Sequence, residues 1–124
     1  MSTLVSTEIH IERLRLYARH GVLPQEREVG AEFVVTLSAK VDATDEALLH
    51  DRLEGTVDYG RLVATMQHEM DEPSRLLEHA AMRMARALLR DFPMLTRVTL
   101  LLEKVNPPLG VLSEGVGVKI VLDR

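Results

Sequence analysis

The sequence has no cysteine, few aromatic residues and no long apolar run. Without cysteine it forms no disulfide, thiol nucleophile or zinc–thiolate site. No stretch approaches the roughly 18 apolar residues of a membrane-spanning helix, and the first ten residues, MSTLVSTEIH, do not have the pattern of a secretion signal. The net charge of −4 comes without a basic stripe for nucleic acid or anionic lipid. We therefore expect a cytoplasmic protein with neither a nucleic-acid partner nor a membrane partner.

The composition is that of a globular protein. The chain has 124 residues, 46% of them hydrophobic and 27% charged, and this is enough to build one core. We expect a single domain over residues 1–124. Only two tyrosines and two phenylalanines are present, so a tyrosine beside a turn, such as Tyr59, is a candidate functional residue.

Alternating apolar residues predict four strands. In residues 9–16 the alternation changes phase at Glu12 and Arg13, which indicates a β-bulge. Residues 32–42 alternate without interruption, as in a half-buried strand. Residues 98–102 and 116–122 alternate in the same way. The four segments are typical of an antiparallel sheet.

Helical spacing predicts two helices between the second and third strands. Asp58 is a good N-cap for the first helix, and Ser74 for a second that runs to about Asp91. Their apolar positions are Leu62, Val63, Met66 and Met70 in the first, and Leu77, Ala80, Ala81, Met84 and Leu88 in the second. Arg75, Arg83, Arg86 and Arg90 are expected on the solvent face of the second helix. Residues 43–55 are expected to hold a short helical turn.

The order ββααββ predicts an α+β fold, a four-stranded antiparallel sheet covered by two helices on one face. Three apolar residues, Val34, Leu101 and Val121, fall on the other face. The sheet also has two open edges, which proteins usually cover or pair. Both features suggest that subunits assemble edge to edge.

Four short blocks each carry an ionisable residue. They are ARHGVLPQEREVGAEF with Glu26, TVDYG with Tyr59, LLEHAA with Glu78, and EKVNPPLG with Lys104. In order and spacing they resemble the dihydroneopterin aldolase family, over about residues 9–121. The resemblance implies the tunnelling fold, in which four subunits join their sheets into a barrel and two rings stack as an octamer. It also implies a homo-oligomer that binds a small pterin.

The reaction implied is the retro-aldol cleavage of 7,8-dihydroneopterin to glycolaldehyde and 6-hydroxymethyl-7,8-dihydropterin, a step of folate synthesis. The ring C=N beside the polyol tail accepts the electrons of the broken bond, so neither a metal nor a Schiff base is required. The five histidines are not spaced as zinc ligands, and there is no P-loop or GxGxxG motif. We expect no cofactor and no metal.

The resemblance also implies how the pterin is bound. The carboxylate of Glu78, in the first turn of the second helix, suits the N3–H and 2-amino donors of the pterin. Without the resemblance, a glutamate there would be read as complementing the helix dipole. The resemblance makes Glu78 the anchor, with Leu77 and Val57 as further substrate contacts.

By the same resemblance Lys104, Tyr59 and Glu26 are catalytic. Lys104 acts as a base or polarises a water, although a lysine at a strand end often serves only to keep the sheet edge from pairing with another chain. Tyr59 returns a proton to the enol-like intermediate; its ordinary role would be packing. Glu26, expected in a loop after Gly21, binds and orients a hydroxyl or a water, the alternative being a solvated loop charge.

Two other functions stay open. A 2′-epimerase acting on dihydroneopterin or its triphosphate would use the same bond cleavage followed by re-addition. A non-catalytic oligomeric pterin-binding protein is the second alternative. The EKVNPPLG block and the absence of a basic cluster in the loops favour the aldolase over the epimerase. The presence of Lys104 and Tyr59 argues against a non-catalytic pterin-binding protein.

Overall fold

The structure is a computed structural model that describes residues 2–124. Its sheet has four antiparallel strands in the order β1 (Thr7–Ala18), β2 (Ala31–Val41), β3 (Leu95–Val105) and β4 (Gly115–Asp123). The helices are α1 (Pro24–Val29), α2 (Asp45–His50), α3 (Tyr59–Met70) and α4 (Leu77–Asp91), with a 3₁₀ turn at Leu53–Gly55. The predicted α+β class and ββααββ order are confirmed. Helix α2 is the short turn expected in residues 43–55, and α1 was not predicted.

The predicted bulge in β1 is present. The β1–β2 register shifts between Ile11 and Leu14, and Arg13 has a φ of 52°. The Arg13 N–H donates to Thr36 Oγ1 of β2 at 3.1 Å, which replaces the ladder bond lost at the bulge. After the bulge the apolar residues of β1 return to the same face of the sheet.

The hydrophobic core lies between one face of the sheet and helices α3 and α4. Its side chains include Phe33, Val35, Leu37 and Ala39 of β2, Val98, Leu100 and Leu102 of β3, Leu62, Met66 and Met70 of α3, and Ala80, Ala81, Met84 and Leu88 of α4. Each fully buried large side chain stabilises the fold by about 1.5–3 kcal/mol. The predicted apolar stripe of α4 therefore faces the sheet, and so does that of α3 except for Val63, which is only half-buried and lies outside this core.

The outer face of the sheet differs from the prediction at one residue. Val34 is only 1% exposed, whereas Val121 is 54% exposed. Val34 lies between Arg15 of β1 and Glu103 of β3, and the stems of such long side chains can cover a small neighbour. The expectation of an exposed Val34 is therefore wrong. Among the described residues, β1 and β4 each pair on one side only.

Two expectations for α4 are also wrong. The helix begins at Leu77 behind Leu76, so Ser74 is not its cap. Arg83 is half-buried rather than solvated, and it donates to the backbone oxygens of Glu69 and Glu72 at 2.8 and 2.7 Å. The Glu69 carbonyl belongs to the last turn of α3 and the Glu72 carbonyl to the segment just after it, and Arg83 donates to both. Within residues 2–124, no helix combines the length and the apolar character needed to cross a bilayer.

Candidate active site

Glu26 lies in helix α1 and not in a loop. Pro24 occupies the first helical position, where its missing N–H costs nothing, and Glu26 occupies the third. The Glu26 carboxylate accepts the N–H of Leu23 at 3.2 Å, as in half of a capping box. The prediction of a loop overlooked this pattern, which can be read in the sequence LPQE.

Lys104 and Glu26 form an ion pair. Lys104, near the end of β3, is 8% exposed. Its Nζ donates to the Glu26 carboxylate and, at 3.2 Å, to the backbone oxygen of His20, and it lies 5.7 Å from the centre of the Phe33 ring. The hydrogen bond from Lys104 lowers the pKa of Glu26 below its ordinary value, so Glu26 is ionised at neutral pH.

The ion pair opens into a pocket of about 370 Å³. Its lining residues are Leu23, Gln25, Glu26, Val29, Gly30, Ala31, Lys104, Asn106 and Pro108. Mostly apolar walls with a few convergent charged groups are typical of small-molecule sites. The pocket thus brings together two of the three predicted catalytic residues.

Gly21 gives the Glu26 side chain its space. A Cβ at Gly21 would lie 2.5 Å from the Glu26 Cβ and 2.6 Å from its Cδ. The Gly21 backbone is held on both sides, because its N–H donates to the Ser74 oxygen at 2.9 Å and its oxygen accepts from Arg27 at 2.7 Å. Any larger residue at position 21 would push the Glu26 carboxylate away from Lys104.

His20 is fully buried beside this ion pair. Its Nδ1 accepts the N–H of Ser74 at 3.0 Å, and its ring meets Phe33 edge to face at 5.2 Å. Because Nδ1 accepts, the proton is assigned to Nε2, which has no hydrogen-bond partner among the described residues. Burial, followed by the charges of Arg83, Lys104 and His79, lowers the pKa of His20 from 6.5 to about 4. The ring is neutral at physiological pH.

Ser74 connects His20 to the start of α4. Its Oγ lies 2.8 Å from His79 Nδ1 and accepts from Arg83 at 2.9 Å. His79 directly follows Glu78, so Leu77 and Glu78 lie at the same end of the subunit as Lys104. Leu77 is half-buried and Glu78 is exposed, in a first turn whose backbone N–H groups have no side-chain cap.

Tyr59 and Val57 lie at the other end of the domain. Tyr59, 68% exposed, is the first residue of α3, and the preceding Asp58 caps this helix by accepting the Gly60 N–H at 2.9 Å. Val57 is buried and lines a second pocket, of about 360 Å³, together with Phe92, Pro93 and Met94. These three residues precede the start of β3, and the strand rises about 30 Å from there to Lys104.

Within this one chain the predicted site residues therefore form two groups. Glu26, Lys104, Leu77 and Glu78 belong to one end, and Val57 and Tyr59 to the other. In the part of the chain that the structure describes, no three His, Cys, Asp or Glu side chains converge in a way that would hold a metal ion.

Sequence reasoning missed three residues near the first group: His20, Ser74 and Arg83. The contact of His20 with Ser74 joins positions 54 residues apart, and its contact with Lys104 joins positions 84 apart. Periodicity says nothing about such contacts. The one available signal was that His20 lies inside the block ARHGVLPQ.

Comparisons with known proteins identify the family of the chain. The family model described as dihydroneopterin aldolase (FolB) matches residues 9–121. A dihydroneopterin aldolase of Staphylococcus epidermidis is 33% identical over 117 residues, 94% of this chain and 96% of that protein.

Two solved structures share the fold. A protein described as a FolB dihydroneopterin aldolase from Vibrio cholerae has a TM-score of 0.87 at 22% identity, over 98% of this chain and 100% of that chain. The E. coli dihydroneopterin aldolase in complex with neopterin has a TM-score of 0.81 at 23% identity, over 94% and 98%. With the match of the family model and the S. epidermidis relative, these findings show that the chain belongs to the dihydroneopterin aldolase family.

Proposed function

We propose that the chain cleaves the 1′–2′ bond of 7,8-dihydroneopterin by a retro-aldol reaction, yielding glycolaldehyde and 6-hydroxymethyl-7,8-dihydropterin for folate synthesis. The observation that carries the proposal is the ion pair between the buried Lys104 and the half-buried Glu26, which opens into a pocket large enough for a small ligand. The family match supports the reaction class. A cytoplasmic location belongs to the same proposal, because it follows from the pathway.

Lys104 and Glu26 start the reaction. In the bound complex the polyol tail lies against this ion pair, with the 2′-hydroxyl held by the Lys104 ammonium directly or through a water. The ionised Glu26 carboxylate orients the same hydroxyl or water and accepts the proton that the hydroxyl loses. As C2′=O forms, the 1′–2′ bond breaks and its electrons pass to the ring C=N. Glycolaldehyde then leaves, and an enol-like pterin remains.

Glu78 and Leu77 hold the pterin. The Glu78 carboxylate accepts the N3–H and the 2-amino group of the ring in a bidentate, charge-assisted pair. The uncapped N–H groups at the start of α4 offer further donors to the pterin oxygen. Glu78 is exposed in the subunit, so its carboxylate is available to a ligand.

Tyr59 completes the reaction from a second subunit. The enol-like pterin needs a proton at carbon 1′, and the phenol of Tyr59 supplies it and is reprotonated from solvent. Since Tyr59 and Val57 lie at the far end of their own subunit, the site takes them from a neighbour. The one-sided pairing of β1 and β4 supports joined sheets. We propose a homo-oligomer of tetrameric rings stacked as an octamer.

The test is incubation of the purified protein with 7,8-dihydroneopterin in the presence of EDTA. We expect glycolaldehyde and the hydroxymethyl pterin to appear in equal amounts, and Lys104→Ala to slow the formation of both severely, to a residual rate that single turnover can still measure. Loss of activity in EDTA that zinc restores would overturn the metal-free mechanism. Accumulation of the 2′ epimer without glycolaldehyde would indicate the epimerase instead, and pterin binding without turnover would indicate a binding protein.

A further inference from the structure

The His20–Gly21 segment contacts two parts of the first group of site residues: the Lys104–Glu26 ion pair, and the chain that leads to Leu77 and Glu78. On one side, the His20 backbone oxygen accepts from Lys104 Nζ at 3.2 Å, and Gly21 lies against the Glu26 side chain. On the other side, the His20 ring and the Gly21 N–H both bind the backbone of Ser74, at 3.0 and 2.9 Å. The segment therefore connects the catalytic ion pair to the chain that leads into α4.

Ser74 is the matching element on the α4 side. It is 4% exposed and makes four hydrogen bonds, two through its backbone and two through its hydroxyl. The backbone bonds reach back to His20 and Gly21. The hydroxyl bonds reach forward to His79 and Arg83, both on α4. Because Ser74 lies so close to the start of α4, its position fixes where Leu77 and Glu78 begin the helix.

A histidine at position 20 lowers the stability of the fold unless its hydrogen-bond acceptor, Nδ1, is needed. The Nε2–H is buried without a partner among residues 2–124, and such a group carries a desolvation penalty. An apolar side chain would pack against Phe33 without that penalty. What an apolar side chain does not offer is an unprotonated nitrogen 3.0 Å from the Ser74 N–H. The acceptor at Nδ1 is therefore the property that accounts for the histidine.

We propose that the His20–Ser74 contact is a positioning element, which sets the distance between the Lys104–Glu26 ion pair and the start of α4. This inference rests on the function proposed for Lys104 and Glu78. His20 does not touch the substrate; it acts through Lys104, by holding the carbonyl that fixes the ammonium, and through Ser74. The contacts of the pterin ring, at Leu77 and Glu78, are then held at the distance from the contacts of the polyol tail, at Lys104 and Glu26, that the reaction requires.

Two substitutions separate this role from simple packing. His20→Asn keeps an acceptor at the Nδ1 position, because its amide oxygen is also attached to Cγ, and it removes Nε2. His20→Leu keeps the volume and removes the acceptor. We expect His20→Leu to lower kcat for glycolaldehyde release roughly tenfold to a hundredfold, as for a misplacement near 1 Å. We expect His20→Asn to retain most of the parent kcat. Val98→Ala, a core substitution on β3, controls for lost stability and should leave kcat unchanged.

A double-mutant cycle with Lys104→Ala tests the route of the effect. Measured by single turnover on fully folded, assembled protein, against the residual rate of Lys104→Ala, His20→Leu should cause a smaller loss when Lys104 is already absent, because only the route through Ser74 then remains. If its loss is the same in both backgrounds, or if Val98→Ala has an equal effect, the positioning role is overturned. Should His20→Leu fail to fold, His20→Gln, whose oxygen lies one bond further out, takes its place. A fully active Lys104→Ala would instead overturn the proposed function itself.

Discussion

Lys104 and Tyr59 lie at opposite ends of one subunit. Lys104 is near the carboxyl end of β3, and Tyr59 begins α3 beside the residues that precede the start of that strand. The rise along β3 between the two ends is about 30 Å, far beyond the reach of a lysine and a tyrosine side chain. A dihydropterin cannot contact both residues of the same subunit.

The first prediction is complementation between two variants. When Lys104→Ala and Tyr59→Phe subunits are unfolded, mixed in equal amounts and reassembled, roughly one quarter of the sites should recover both residues. Formation of 6-hydroxymethyl-7,8-dihydropterin should rise above that of either variant alone. The matched control mixes Lys104→Ala with Glu26→Gln, whose altered residues lie in contact within one subunit. Recovery in the control, or no recovery in the first mixture, would contradict the assignment.

The sequence was sufficient for the fold because the fold depends on local patterns. The phase change at Glu12 and Arg13 predicted the bulge, and strand alternation predicted the face of β2 and β3 that is buried. The face of Val34 was predicted correctly but its exposure was not, because its burial depends on long side chains of two neighbouring strands, which alternation within β2 does not describe.

The candidate site was predictable only as separate residues. Their identities came from motif resemblance, and the structure places Glu26 against Lys104, residues 78 positions apart in the chain. The His20–Ser74 contact has no sequence pattern of its own. Ser74 was instead assigned as a helix cap, because a serine before an apolar run is typical of that role.

The second prediction concerns Glu78. Glu78→Ala should weaken the binding of neopterin and of the pterin product by about 1.5–3 kcal/mol, because a charge-assisted bidentate pair is lost. Titration calorimetry with neopterin measures this directly. Glu46→Ala is the matched control, since Glu46 is also a first-turn helix glutamate. If both variants bind neopterin like the parent, Glu78 serves only the helix dipole.

The third prediction separates bond cleavage from proton return. Tyr59→Phe removes only a hydroxyl, so glycolaldehyde should still be released while the hydroxymethyl product forms more slowly and oxidised pterins accumulate in air. Lys104→Ala should block glycolaldehyde release itself. Rapid-quench analysis of both products distinguishes the two variants. A Tyr59→Phe variant that forms the normal product at the parent rate would make Tyr59 a packing residue.

The fourth prediction concerns Gly21. Gly21→Ala places a methyl group against the Glu26 side chain, where the space is already filled. We expect the Glu26 carboxylate to move away from Lys104, its pKa to return towards the ordinary value of 4.5, and kcat to fall roughly tenfold or more. Val22→Ala, at the exposed neighbouring position, should leave kcat unchanged. Equal activity of the two variants would show that Glu26 tolerates displacement.

The fifth prediction concerns stability against pH. Burial lowers the pKa of His20 from 6.5 to about 4, so between these values the unfolded chain binds a proton that the folded chain does not. Stability should be unaffected by this group above pH 6.5 and should fall as the pH decreases towards 4, by about 3 kcal/mol in all. The charges of Arg83, Lys104 and His79 add to the effect of burial in lowering the pKa of His20.

His20→Asn isolates this contribution, because asparagine keeps the acceptor for Ser74 but does not titrate. The free energy of unfolding, measured in urea at fixed protomer concentration from pH 7 to pH 4, should decline less in the variant than in the parent. Glu26 contributes in a different range: its lowered pKa gives stability that is present above the ordinary value of 4.5 and is lost only as the pH falls below it. If the unfolding free energies of parent and variant decline in parallel between pH 6.5 and 4.5, His20 is protonated in the folded protein without loss of stability. Its Nδ1 is then not a neutral acceptor for Ser74.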